Sequence, residues 1–366
     1  MKKLFLTSIP GLPRRATALL LLCGFALLAA PPVADAGGAS ETPNASAADT
    51  EETPGEQPVL RIVATTTQAS DLARILTAGV DGVEITGLMG AGVDPHLYQP
   101  TEGDIQALNR AQVVIYNGLN LEGQFDRVFQ ALREQGITIF ALTGPVDRAG
   151  FVMGAEDGPD PHIWFDPRNW ILVTEALGEL LAERHGTGRE RIMANADAYT
   201  RQLEALYDWA VTGMESVAEE RRLLVTSHDA FQYFGTALGW RVAAIQGLST
   251  EDEAGVGDVQ DIVDTVSEAG IPVLFVESSI PPDTIQAVQE AVAAAGGTVD
   301  VGIRELYSDA MGAGGTFSGT YIGMFAENVL TILQSYGCAG EPVEIPSWPA
   351  GLTPDLPQEL RDAACR

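Results

Sequence analysis

The chain has 366 residues, with 21 Lys and Arg against 50 Asp and Glu, giving a formal net charge of −29 at pH 7. That length is too great for one small core and fits two lobes of about 100–150 residues each. The acidic balance argues against nucleic acid or anionic lipid as a partner. No apolar run beyond the N-terminal one is long enough to span a bilayer.

Lys2, Lys3, Arg14 and Arg15 form a basic start, Ala16 to Ala30 an apolar core, and Ala34-Asp35-Ala36 a small-x-small cleavage site. These features predict a secretory signal over residues 1–36, cleaved near Ala36, and hence a periplasmic protein. The apolar core falls short of the roughly 20 residues that a membrane span needs. Cys23 lies in mid-core behind the bulky Leu22, which does not fit a lipid-attachment signal. Arg14-Arg15 is a weak twin-arginine signal, because Ala16 and Thr17 do not continue that pattern. Loss of the signal removes four bases and one acid, leaving a charge of −32 and no lysine. Residues 37–57, rich in Gly, Ala, Ser, Thr, Pro and Glu, predict a disordered acidic leader.

Folded structure is expected from Val59, in a β-type run to Ala64 followed by Thr65-Thr66-Thr67 and a helix from Asp71 to Ala78. A strand from Val83 to Met89 leads through Gly90-Ala91-Gly92 to Asp94-Pro95-His96. Thr101 and Asp104 make a capping box for a helix to about Ala111. Val113 to Tyr116 reads as a buried strand, Leu121 to Gln135 as a helix closed by Gly136, and Ile137 to Leu142 as a strand. After a loop, Asp160-Pro161-His162 precedes Pro167, which starts a helix ending at His185-Gly186. Arg189 to Glu220 has helical apolar spacing and no proline, and predicts a strut over ~40 Å long between two similar halves.

The second half alternates again. Strands are expected at Leu223–Thr226, Val242–Ile245, Val273–Glu277 and Val299–Ile303. Helices are expected at Asp229–Leu238, Asp258–Ala269, Pro281–Ala295 and Tyr321–Tyr336, the last behind a Gly-rich loop. The fold class is therefore α/β: two lobes, each a parallel sheet flanked by helices, joined by one long helix, with ligands expected at the carboxyl ends of strands. The limits are an N-terminal lobe over 58–187, the linking helix over 188–220, a C-terminal lobe over 221–337 and a tail over 338–366.

Three of the four histidines, His96, His162 and His228, follow predicted strands at steps of 66 residues, and Asp309 comes 81 residues later. Three imidazoles and one carboxylate complete a tetrahedral set for a transition metal. Each Asp-Pro-His proline stiffens its loop, and Asp94 and Asp160 are placed to orient ring nitrogens. Glu277, at the end of a buried strand, competes with Asp309 as the carboxylate ligand. His185, in the last turn before Gly186, reads as a structural cation at a helix C-terminus. Cys338 and Cys365 are the two cysteines after the signal, and an oxidising compartment favours their pairing. The alternative is a zinc pair, which has no further cysteine to complete it. Closing that 27-residue loop is worth about 3.5 kcal/mol in chain entropy.

The stretches Asp94-Pro95-His96-Leu97-Tyr98-Gln99-Pro100-Thr101, Asp160-Pro161-His162-Ile163-Trp164-Phe165-Asp166-Pro167, Thr226-Ser227-His228-Asp229-Ala230-Phe231 and Ser308-Asp309-Ala310-Met311-Gly312, with Gly319-Thr320-Tyr321, resemble the cluster A-I (cluster 9) substrate-binding proteins of metal ABC transporters. The resemblance covers about residues 58–337. It implies His96, His162, His228 and Asp309 as metal ligands between two α/β lobes. It also implies delivery of the ion to an ABC permease and its ATPase, and decides for Asp309 over Glu277. His228 at the third position, where manganese binders often carry Glu, favours Zn2+, with Mn2+ next and iron third. The long His-rich loop of many zinc importers is absent, and the Ser308–Tyr321 stretch resembles a subgroup associated with manganese as well as zinc. A monomer that is not an enzyme is expected. The competing reading is a secreted metallohydrolase with Glu277 or Asp229 as general base. It would need an open coordination position, and the chain has neither His-Glu-x-x-His nor Gly-x-Ser-x-Gly. An adhesin is a third reading, with only surface location behind it.

Overall fold

The computed structural model describes residues 59–146, 152, 158–362 and 365. The expected signal and acidic leader lie outside them. Two parallel sheets flanked by helices account for the fold, as the alternation of strand and helix patterns predicts. In the first half, β1 (Leu60–Ala64), β2 (Val83–Gly87), β3 (Val113–Tyr116) and β4 (Thr138–Ala141) form one sheet in the order β2-β1-β3-β4. Every pairing is parallel. Helices α1 (Thr67–Leu76), α2 (Glu102–Arg110) and α3 (Asp126–Glu134) make the connections.

The second half repeats this topology. β5 (Leu223–His228) pairs in parallel with β6 (Arg241–Gln246), and β7 (Val273–Leu274) with β8 (Asp300–Val301). The two pairs are joined by the Phe275 N–H, which donates to the Val225 carbonyl at 2.9 Å. The strand order is thus β6-β5-β7-β8. Helices α6 (Gln232–Leu238), α7 (Val256–Ala269) and α8 (Asp283–Ala294) connect these strands. β7 and β8 are shorter than their apolar runs predict. The ladder continues from Gly302 N–H to the Leu274 carbonyl, then skips three residues before Leu306 N–H bonds the Val276 carbonyl. These extra residues break the register on one side, as a bulge does.

Local signals hold where they rest on side-chain bonds. Thr101 Oγ1 accepts from Asp104 N–H at 3.2 Å while Asp104 Oδ2 accepts from Thr101 N–H at 2.7 Å, completing the capping box of α2. Helix α4 (Pro167–His185) starts with Pro167 in its first turn, capped by Asp166. Several helices differ from expectation: α1 begins at Thr67, capped by Thr66, instead of Asp71, and α6 at Gln232 instead of Asp229. The stretch from Leu121 opens as a short 3-10 turn, Gly123–Phe125, before α3 begins. The long helix α5 runs Arg189–Met214, about 39 Å at 1.5 Å per residue, and stops short of Glu220. Side chains take up the carbonyls at and just beyond its end. Ser216 Oγ donates to Gly213 O, Trp240 Nε1 to Met214 O, and Arg222 to both Glu215 O and Val217 O. With those acceptors satisfied the chain is free to turn.

Helix α5 contacts α1 and α4 of the first half and α6 and α9 (Tyr321–Cys338) of the second. Helix α9 is buried on all faces from Tyr321 to Tyr336 apart from Glu327, with its polar Asn328, Gln334 and Ser335 hydrogen-bonded inside. A helix of that kind belongs to a core. Aromatic rings join the halves above it: Phe165 stacks on Phe231 at 4.4 Å, and Trp170 on Tyr321 at 5.0 Å. The tail returns along α5, where Trp209 Nε1 donates to Pro346 O and Leu352, Leu356 and Leu360 enter the core. A disulfide joins Cys338 and Cys365.

Candidate metal centre

His96, His162, His228 and Asp309 meet at one point. One ligand atom from each lies within 4.8 Å of all the others, and all four residues are buried. Each comes from a different chain segment at the C-terminal side of the sheets. His96 follows β2, His162 opens the 3-10 turn Ile163–Phe165, His228 is the last residue of β5, and Asp309 follows the β8 strand and its bulge. His228 sits in the strand itself, which is why its backbone direction is fixed by pairing with Gln246.

The separations match a small tetrahedral ion. His96 Nε2 is 3.4 Å from His162 Nε2. Asp309 Oδ1 is 3.3 Å from His162 Nε2, and Asp309 Oδ2 is 3.3 Å from His228 Nε2. Ligands at about 2.0–2.1 Å around zinc stand ~3.4 Å apart along the edges of a tetrahedron. The 3.3 Å His–Asp309 contacts are close but not aligned as hydrogen bonds. His228 Nε2 and both Asp309 oxygens are buried without a hydrogen-bond partner. Buried polar atoms normally find partners, so orphaned atoms aimed at one point are what a cation site requires.

The outer partners orient the rings. Asp160 Oδ1 accepts from His162 Nδ1 at 2.6 Å and from His162 N–H at 2.8 Å. Glu277 treats His228 likewise, accepting from Nδ1 at 2.6 Å and from the backbone N–H at 2.8 Å. With the proton on Nδ1, each Nε2 presents its lone pair to the centre. Glu277 therefore stands behind His228 and is not among the four converging residues. Asp94 differs from expectation: it accepts from His96 N–H at 2.8 Å, not from the ring, and its other oxygen accepts from Thr250 Oγ1 at 2.6 Å. Glu277→Gln should lower metal affinity by about 10–100-fold while leaving one ion bound per chain, as measured by chelator competition.

Electrostatics follow the same geometry. Burial opposes the charged form of His162, but the Asp160 carboxylate and Asp309 outweigh it and push its pKa up to about 9. Burial likewise works against charged His228, and Glu277 and Asp309 raise it well above the usual value. Burial would raise Asp309, yet the two cationic imidazoles hold it well below the ordinary range. His96 is lowered to about 3, by burial first.

Further bonds brace the centre, and sequence reasoning missed them. Gln68 Nε2 donates to Asp309 O at 3.0 Å, Trp164 Nε1 to Ser308 O at 3.2 Å, and Tyr321 O–H to Trp164 O at 2.7 Å. Glu122, buried, accepts from Thr65 Oγ1 and the N–H groups of Asn117 and Gly118, and Asn117 Nδ2 holds Pro161 O. Polar Thr65 to Gln68 directly after an apolar strand was the available signal. His185 is structural, but as a neutral ring: Nδ1 accepts from Gly188 N–H and Nε2 donates to Asp81 O. Asp229 accepts from Gln232 Nε2 and does not join the centre.

Known proteins share this arrangement of sequence and fold. A family described as "Zinc-uptake complex component A periplasmic" matches residues 62–335. The chain is 39% identical over 277 residues to the manganese-binding lipoprotein MntA of Bacillus subtilis, covering 75% of this chain and 89% of that protein. It is also 39% identical over 275 residues to the zinc-binding protein TroA of Treponema pallidum, covering 75% and 88%. The solved structure of periplasmic zinc-binding TroA from that organism superposes with a TM-score of 0.73 at 37% identity, covering 76% of this chain and 99% of that one. Its fold has the same two lobes.

Proposed function

The chain belongs to the zinc-uptake complex component A periplasmic family, and on that premise we propose that His96, His162, His228 and Asp309 bind a divalent transition metal as cargo. The protein is a metal-binding substrate-binding component of an ABC importer. It captures the ion between its lobes and hands it to a membrane permease driven by an ATPase. The observation that carries the ligand assignment is a buried set of four ligand atoms within 4.8 Å of one another, in which His228 Nε2 and both Asp309 oxygens have no hydrogen-bond partner. The family's role is transport, and the metallohydrolase reading has no support: Glu277 is committed to His228 and Asp229 to Gln232. We place the mature protein in the periplasm, as a monomer, with the signal cleaved near Ala36 and lobes at 58–187 and 221–337.

Zinc is the favoured cargo. Three imidazoles and a carboxylate in a closed site suit a borderline-soft tetrahedral ion. Similarity alone does not choose, since relatives at the same 39% identity are named for manganese and for zinc. Manganese comes next, because both oxygens of Asp309 face the centre and bidentate binding would add a fifth ligand. Elemental analysis after loading stripped protein with equal zinc and manganese tests this. One equivalent of zinc is expected. One equivalent of manganese would reassign the cargo, and no tightly held metal would overturn the site.

A further inference from the structure

Three of the four converging residues sit in a braced frame. The rings of His162 and His228 are each held by a carboxylate on Nδ1, and Asp309 is held through its backbone by Gln68. Ser308 beside it bonds Ser279 Oγ and accepts from Trp164. His96 is different. Among the described residues no carboxylate holds its Nδ1, and its ring meets another polar group only at His162 Nε2. It is 4% exposed, against 0% for the other two imidazoles. Its loop, between β2 and α2, contains Gly90 and Gly92, the latter at φ +70°, which glycine adopts without strain, and Leu97, 53% exposed.

Among the described residues one hydrogen bond ties this loop to the opposite half. Thr250 lies between β6 and α7, and its Oγ1 donates to Asp94 Oδ2 at 2.6 Å. The other oxygen of Asp94 holds the backbone N–H of His96 at 2.8 Å. A hydroxyl from the second half thus fixes the first-half histidine through a single carboxylate. The neighbouring crossing bond, Gln124 Nε2 to Glu251 Oε1 at 3.2 Å, is exposed and touches no converging residue.

We propose that Thr250 latches the His96 loop across the mouth of the site, and that metal enters and leaves when this bond opens and His96 detaches. His162, His228 and Asp309 keep their places during exchange. Thr250 acts through Asp94 and is a positioning residue. This inference rests on the metal-binding reading above.

The test is the rate at which zinc-loaded full-length protein yields its ion to excess chelator at fixed pH. A hydrogen bond to a charged group is strong enough for its loss to speed release about tenfold in Thr250→Val, which keeps the shape and loses the hydroxyl. Thr250→Ser should release zinc at the wild-type rate, and both variants should match wild type in metal-free melting temperature. Gln124→Ala should release at the wild-type rate. Thr250→Val that binds one zinc and releases it at the wild-type rate would overturn the latch and leave the metal site standing. Equal acceleration in Thr250→Ser and Thr250→Val would also overturn it, since the hydroxyl would then be irrelevant. Wild-type protein that holds no zinc would bring down both readings together.

Discussion

Replacing His228 with Ala is expected to lower zinc affinity by about a thousandfold. A four-ligand zinc site is worth about 10–16 kcal/mol, so one ligand's equal share corresponds to about two to three orders of magnitude. His228 sits at the upper end of that range for a structural reason. Its backbone is fixed by the β5–β6 pairing, and its ring is clamped by Glu277 at 2.6 Å. The loss of such an ordered ligand recovers little entropy. The variant also leaves one oxygen of the buried Glu277 without its ring partner, which disfavours closing the site around the remaining ligands. Competition against a chromophoric chelator at pH 7.5 measures the change. An affinity within tenfold of wild type would mean that His228 is no ligand. His185→Ala, at the last residue of α4, where the ring is bonded to Asp81 O, should leave zinc binding unchanged and controls for the general loss of an imidazole.

Acid should release the metal steeply, by about a hundredfold in affinity for each pH unit between 8 and 6. The sign follows from the direction of each shift. His162, raised to about 9, keeps its proton below pH 9 when metal is absent, and Glu277 and Asp309 raise His228 well above its usual value, which favours its protonated form. Asp309, held low, is ionised throughout this range, and His96, lowered to about 3, is neutral. Zinc must therefore displace about two protons, and each displaced proton contributes about tenfold per pH unit. Above pH 9 the His162 proton is already lost and the dependence flattens. Calorimetry in buffers of differing ionisation enthalpy should count about two protons released per ion. Affinity that is level from pH 8 to 6 would show that the inner imidazoles are not protonated together in the metal-free state.

The repeated Asp-Pro-His and the scarcity of histidine made the imidazole set legible in the sequence. With only four histidines in the chain, three of them after strands, chance placement had little room. Capping signals were readable for the same local reason. Thr101 and Asp104 are three residues apart, and the bonds they exchange need nothing distant. Features depending on distant partners were not readable. The end of α5 at Met214 is set by Trp240 and Arg222, from beyond the helix. The short β7 and β8 reflect a bulge that appears only once the two strands lie side by side.

The sequence by itself determined the α/β alternation, the two halves and the residues with metal-binding chemistry, because periodicity and side-chain type are properties of short stretches. Only the tertiary structure decided what each carboxylate does. Asp309 and Glu277 are both buried acids after strands, and one faces the cluster of lone pairs while the other stands behind a ring. Asp94 and Asp160 share one local motif, yet Asp160 holds its histidine's ring and Asp94 spends its second oxygen on Thr250, 156 residues away. A carboxylate's role is fixed by which donors lie within about 3 Å of it, and in a fold with crossover connections those donors come from anywhere in the chain.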